Sequence, residues 1–144
     1  MNVSAIDISA SGLRAQRLRM DLIAGNLANV DTTSARRELR KTPEGVAYTR
    51  HVPYARKVAV FTMGRTVAGV PVPEARVVED AAPFRTEQQP GHPHAGPSGQ
   101  VEFPNVHPIV EMVDMIAATR AYEANVSAMD AAKSMSAAAL RILA

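Results

Sequence analysis

The sequence has no cysteine and no tryptophan, and its aromatic residues stop at three tyrosines and three phenylalanines among 144 residues. The missing thiol excludes disulfides, thiolate metal sites and a cysteine nucleophile. The missing bulk matters more. Much of the apolar content is alanine, which adds little stability on burial at roughly 25 cal/mol per Å². One domain of this length and composition is expected to have a core too thin to stand alone. No apolar run approaches the roughly 18 residues of a membrane span, so membrane insertion is not expected. The opening "MNVSAIDISASG" lacks a basic stretch followed by an apolar one, and no cleaved secretory signal is expected.

What is present is unevenly charged. The net charge of +2 conceals a basic stretch from 14 to 65, with 11 Lys/Arg against 4 Asp/Glu. From 66 to 144 the balance reverses to 5 against 9. Such asymmetry favours head-to-tail contact between copies or relatives. Nucleic acid is the competing partner for "ARRELRK" with Arg50, Arg56 and Lys57. Only Tyr48, Tyr54 and Phe61 lie near, no recognised module appears, and the acidic remainder opposes it. A basic surface loop is the expectation, and no nucleic acid.

Periodicity divides the chain into three: an N-terminal assembly helix in 1–33, a β-rich insert and loop in 34–106, and a C-terminal assembly helix in 107–144. The first helix is predicted over 4–30, opening on Ser4 and Asp7 as a capping-box-like pair. Val3, Ile6, Ala10, Leu13, Met20, Ala24 and Leu27 recur at steps of three and four, broken by Arg17. That stripe is narrow, like a coiled-coil seam. Gly12 and Gly25 each cost about 1 kcal/mol in a helix, which points to close helix approach. Nine of the ten prolines fall between 34 and 106 and forbid a long helix. Strands are predicted at 56–63, 66–72 and 75–80, and a mobile loop at 88–100. Pro108 and Glu111 then suit the first turn of a second helix. Its stripe runs through Met112, Met115, Tyr122, Val126, Met129 and Leu140, widened at the start by Ile109, Val113 and Ile116. The fold class is therefore α+β: long terminal helices packing in a coiled-coil-like bundle, with a small β-rich insert between them. The two helices are expected to pair antiparallel and still to need helices from neighbours.

Chemistry finds little purchase. His92 and His94 in "GHPHAG" lack a third ligand at a helical or hairpin spacing, so a solvated loop is expected and no metal. Glu79 with Asp80, or Glu111 with Asp114, has no adjacent nucleophile or phosphate loop. No enzyme and no cofactor are expected. A soluble coiled-coil adaptor remains the alternative to a larger assembly.

Two stretches narrow the choice. "SGLRAQRLRMDLIAGNLANVDTT" and the run "PGHPHAGPSGQVEFPNVHPIVEMVDMIAATRAYEANVSAMDAAKSMSAAALRIL" resemble the rod proteins of the bacterial flagellar basal body. The "NLAN" of Asn26, Leu27, Ala28 and Asn29 marks the wider group of axial proteins. "PGHP", "PNV", "EMVDMI" and "TRAYEAN", in that order, are more specific and resemble the proximal-rod type. The resemblance implies a non-enzymatic subunit, exported unfolded by the flagellar export apparatus without a cleaved signal peptide. It implies assembly with other rod subunits and further copies into a helical rod crossing the periplasm, which transmits torque through packed helices. The expected assembly interface then comprises Leu13, Met20, Ile23, Asn26, Leu27 and Asn29 on the first helix, and Asn105 before the second. On the second helix it takes in Met112, Met115, Ile116, Arg120, Tyr122, Glu123, Asn125, Val126, Met129 and Leu140. Asn26 and Asn29 are expected to bond across a helix–helix seam while Leu27 fills it, with Asn125 acting likewise on the other helix.

Overall fold

The computed structural model describes residues 5–41, 45, 47–67 and 70–143, so the expected contributions of Val3 and Ser4, and residues 68–69 of the second expected strand, lie outside the described residues. The element order is α1 (Ala5–Ala28), β1 (Arg36–Lys41), β2 (Ala47–Val52), β3 (Lys57–Val67), β4 (Val70–Glu79), β5 (Arg85–Gln88), β6 (Gln100–Phe103) and α2 (Pro108–Leu143). The α+β class holds: two helices, one at each end, enclose a strand-rich insert. The strands form three two-stranded sheets, β1–β2, β3–β4 and β5–β6. Contacts gather into two compact units that each draw on distant parts of the chain.

One unit comprises Met1–Ile23, Val58–Val78 and Met112–Ala144. Here α1 and α2 run antiparallel, because Arg19 Nη2 meets Asp114 Oδ1 at 2.8 Å while the earlier Gly12 faces the later Asn125. Ser11 and Ala15 are buried on α1, and Ala118 and Ala132 on α2, with half-buried Asn125 midway between them at a seven-residue step. A Cβ on Gly12 would come within 2.8 Å of Asn125 Oδ1, so the glycine is a close-approach residue as the sequence implies. Gly25 has no such need, since its nearest obstacle is the Tyr54 hydroxyl at an ordinary 3.9 Å. Val72 is buried on β4, and with Pro73 and Ala75 it lines a cavity of about 330 Å³ whose other wall is Ser11, Arg14, Ala15 and Leu18.

The predicted stripe of α1 is half-buried: Met20 Sδ lies 3.8 Å from Thr119 Oγ1 of α2, but the deepest burial is not confined to the stripe. Leu13 and Ala15 lie about 200° apart around a helix of 3.6 residues per turn, and the structure buries Ala15. Small residues permit close backbones, whereas the larger ones along Ile6, Leu13, Met20 and Leu27 keep part of their surface in solvent. On α2 the buried face is likewise displaced from the stripe toward Ala118 and Ala132.

The other unit comprises Ala24–Lys57 and Glu79–Glu111. β1 pairs antiparallel with β2 from Arg36 opposite Val52 to Lys41 opposite Ala47. β5 pairs antiparallel with β6 from Arg85 opposite Phe103 to Gln88 opposite Gln100. Val52, Val101 and Val106 are buried apolar side chains of this unit, and Thr33 is buried as well. The basic "ARRELRK" is thus a hairpin strand and not a loop, its side chains almost wholly exposed. The expected strands merge into the longer β3 and β4, and β1, β2, β5 and β6 are additions to the expectation. Gly99, at φ +72, lets the 89–99 loop turn back into β6, where Gln89 N–H donates to its carbonyl at 2.9 Å.

Candidate assembly surface and the polar lock beside it

The first asparagine of "NLAN" is fully hydrogen-bonded. Asn26, 1% exposed, sits in the last turn of α1. Its Nδ2 donates to the Lys57 carbonyl at 2.8 Å and to Glu111 Oε2 at 3.1 Å. Its Oδ1 accepts the Lys57 N–H at 2.9 Å and the Tyr54 hydroxyl at 3.0 Å. A carboxamide has two donors and two acceptor positions, and all four are used within the chain. The expected bond across a seam to a neighbouring subunit has no capacity left to serve it.

Glu111 occupies the first turn of α2 and is 0% exposed. A buried carboxylate needs a charged, hydrogen-bonded partner. Arg56 Nε supplies it at 2.6 Å, and Arg56 Nη1 reaches Asp80 Oδ2 at 3.2 Å. Burial opposes the charge on Arg56, but its bonds to Glu111 and Asp80 prevail and hold the guanidinium more firmly protonated. Asp80 is held below the ordinary carboxylate range, first by the Ala82 N–H and then by Arg56. Burial pushes the Tyr54 hydroxyl up, and the negative charges of Glu111 and Glu79 add to it.

Asn105 clasps the same segment from another side. Its Oδ1 accepts the Arg56 N–H at 2.9 Å, while its Nδ2 donates to the Ala82 carbonyl at 3.1 Å. Residues 54–57, which lie outside the two stretches that carry the resemblance, therefore run between two asparagines that the motifs do contain. Tyr54, Arg56 and Glu111 escaped the sequence reading as a set. Glu111 read as an ordinary first-turn acid, and nothing in the spacing discloses a partner 55 residues away.

The remaining expected interface residues fall into three groups. Asn29 closes α1: its Nδ2 donates to the Gly25 carbonyl at 2.8 Å and its Oδ1 accepts from Thr32 Oγ1 at 3.1 Å. Ile23 is buried, while Leu13, Met20, Leu27, Met115, Tyr122, Asn125 and Met129 are half-buried. Asn125 Nδ2 donates to the Ala121 carbonyl one turn back, at 2.8 Å. Met112, Ile116, Arg120, Glu123, Val126 and Leu140 are exposed.

The exposed group contains the telling surface. Ile109, Met112, Val113 and Ile116 are 78%, 53%, 61% and 57% exposed, and their spacing puts them on one face of α2. Glu111 and Ala118, both at 0%, lie on the opposite face. The helix thus hides a charge and shows its aliphatic side chains. Among the described residues no Leu, Met or Phe is buried, and the largest buried apolar side chain is Ile23. No helix among the described residues is long and apolar enough to cross a membrane, and no group of three or more His, Asp or Glu among them could hold a metal.

Residues 98–142 match the family described as the C-terminal region of flagellar basal body rod FlgEFG proteins, and residues 6–36 match the flagella basal body rod protein family. The chain is 40% identical over 152 residues to the flagellar basal-body rod protein FlgC of Bacillus subtilis, covering 96% of this chain and 95% of that one. It is 38% identical over 153 residues to the FlgC of Borreliella burgdorferi, covering 97% and 96%. To the FlgC of Salmonella typhimurium it is 36% identical over 137 residues, covering 92% and 91%.

Proposed function

Because the chain belongs to the FlgC family of flagellar basal-body rod proteins, we propose that other rod subunits and further copies of itself cover the aliphatic face of α2 and the outward stripe of α1. It is a structural subunit of the basal-body rod. The observation that carries the assembly reading is the exposure of Ile109, Met112, Val113 and Ile116 on one helix face. Contiguous apolar surface of this kind marks a contact with another macromolecule. In a coiled-coil-like bundle of many chains, Leu13, Met20 and Leu27 would face one neighbour and the α2 face another. The methionines suit such a seat because their unbranched side chains adapt to non-identical partners.

On this reading the subunit does no chemistry and requires no cofactor. It transmits torque by being held rigidly, within a helical rod crossing the periplasm. On the same reading the subunit reaches the rod through the flagellar export apparatus.

Ile116→Asp tests this. The exposed site should accept the carboxylate, leaving helix content and melting temperature unchanged. Motility and recovery of the subunit in purified basal bodies should be lost. A folded Ile116→Asp subunit that supports swarming at the wild-type rate would sink the proposal.

A further inference from the structure

The loop between β5 and β6 was expected to be solvated, and its histidines have no part in the assembly reading. In the structure they are engaged. The His94 ring stacks on His51 of β2, with centroids 4.3 Å apart and planes 19° from parallel. His92 meets the same ring edge-on at 5.2 Å. Thr33 Oγ1 lies 2.8 Å from His94 Nδ1, and Ser34 Oγ lies 2.8 Å from His51 Nδ1. His94 N–H donates to His92 Nδ1 at 3.1 Å, which requires that nitrogen of His92 to be unprotonated. Three imidazoles from two separate segments thus close a loop over the start of the β1–β2 hairpin.

The charges that act on His94 are those of His51, His92 and Arg37, all basic groups. Arg37 of β1 stands directly opposite His51 in the hairpin register. His51 comes from β2 and His92 from the loop itself. Arg50 and Tyr48 line the neighbouring cavity of about 190 Å³, and Glu102 of β6 is committed to Arg50 at 2.7 Å. Among the described residues no carboxylate bonds to any of the three rings.

We propose that the histidine cluster is a pH-sensitive clasp: the 89–99 loop is closed on the β1–β2 hairpin when His51, His92 and His94 are neutral, and acid releases it. Two stacked imidazolium rings beside Arg37 repel each other, and protonating His92 removes the acceptor for the His94 N–H. Consistently, burial holds His94 below the ordinary histidine range, and the charges of His51, His92 and Arg37 lower it further. The sign follows from linkage. A histidine whose folded-state pKa is depressed contributes nothing against pH well above about 6.5, and stability is lost as pH falls from there toward the folded value. Opening therefore belongs to the window below about 6.5, and it changes the surface that this part of a subunit offers to a neighbour.

Hydrogen exchange of the full-length protein between pH 7.5 and 5.0, corrected for intrinsic rates, tests the clasp. Protection of amides in 89–99 should fall severalfold between pH 7.5 and 5.0, while β5–β6 pairing amides keep theirs. His94→Gln retains an acceptor for Thr33 without an ionisable ring, and should keep only the smaller acid step that comes from loss of the His92 acceptor. His94→Ala should leave it open at both. Equal protection of the wild-type loop at pH 7.5 and 5.0, or an undiminished acid step in His94→Gln, would overturn the proposal.

Discussion

Asn26 Oδ1 and Nδ2 face the N–H and C=O of the same residue, Lys57, in the pattern a neighbouring strand would otherwise supply. One side chain does the work of a ladder rung while its spare donor reaches Glu111. Asn26→Ala leaves the Lys57 backbone, the Tyr54 hydroxyl and one Glu111 oxygen each short of a partner. A buried unsatisfied polar group costs about 1–3 kcal/mol, so urea unfolding should show a loss of about 3 kcal/mol or more. Tyr54 adds an alkaline signature. Its folded-state pKa is raised, so its contribution is complete below about 10 and disappears as pH climbs through the raised value. Tyr54→Phe should cost about 1 kcal/mol at neutral pH and flatten the fall in stability seen by thermal melts above pH 10.

Between residues and whole chain stand the helices, and there Gly12 is diagnostic. Gly12→Ala should gain about 1 kcal/mol of helix preference, but its methyl would displace Asn125 from the carbonyl of Ala121. The expected result is net destabilisation in the wild type and stabilisation by about 1 kcal/mol in an Asn125→Ala background, read from a double-mutant cycle. The helices and their order were legible in the sequence because prolines and periodicity bound them clearly. Which face turns inward was not. Hydrophobic periodicity finds the large side chains, and here the buried positions include Ser11, Ala15, Ala118 and Ala132, which carry almost no hydropathic signal. The hairpin β1–β2 stayed hidden for the opposite reason: "RRELRK" is held by its backbone ladder to β2 and buries almost nothing. The asparagines at the end of α1 stand out in the sequence, yet the partners of Asn26 at 54, 57 and 111 are remote in sequence and no local pattern links them.

At the scale of the molecule, exposure is the governing fact. Fifteen large apolar side chains are exposed among the described residues, and none of the eight buried apolar ones is larger than isoleucine. The isolated chain should associate weakly with itself through the α2 face. Val113→Ser with Ile116→Ser should shift sedimentation velocity profiles toward monomer and raise solubility, with unchanged circular dichroism. Unaltered association would place the sticky surface elsewhere.

The hidden charge and outward grease of α2 also say how such a subunit behaves before it finds its place. It is closer to a surfactant than to an ordinary globule. Surfactants stay dispersed when dilute and condense abruptly above a threshold concentration. A cell making this protein is therefore better served by keeping its free level low and delivering it steadily to the growing end than by stockpiling it.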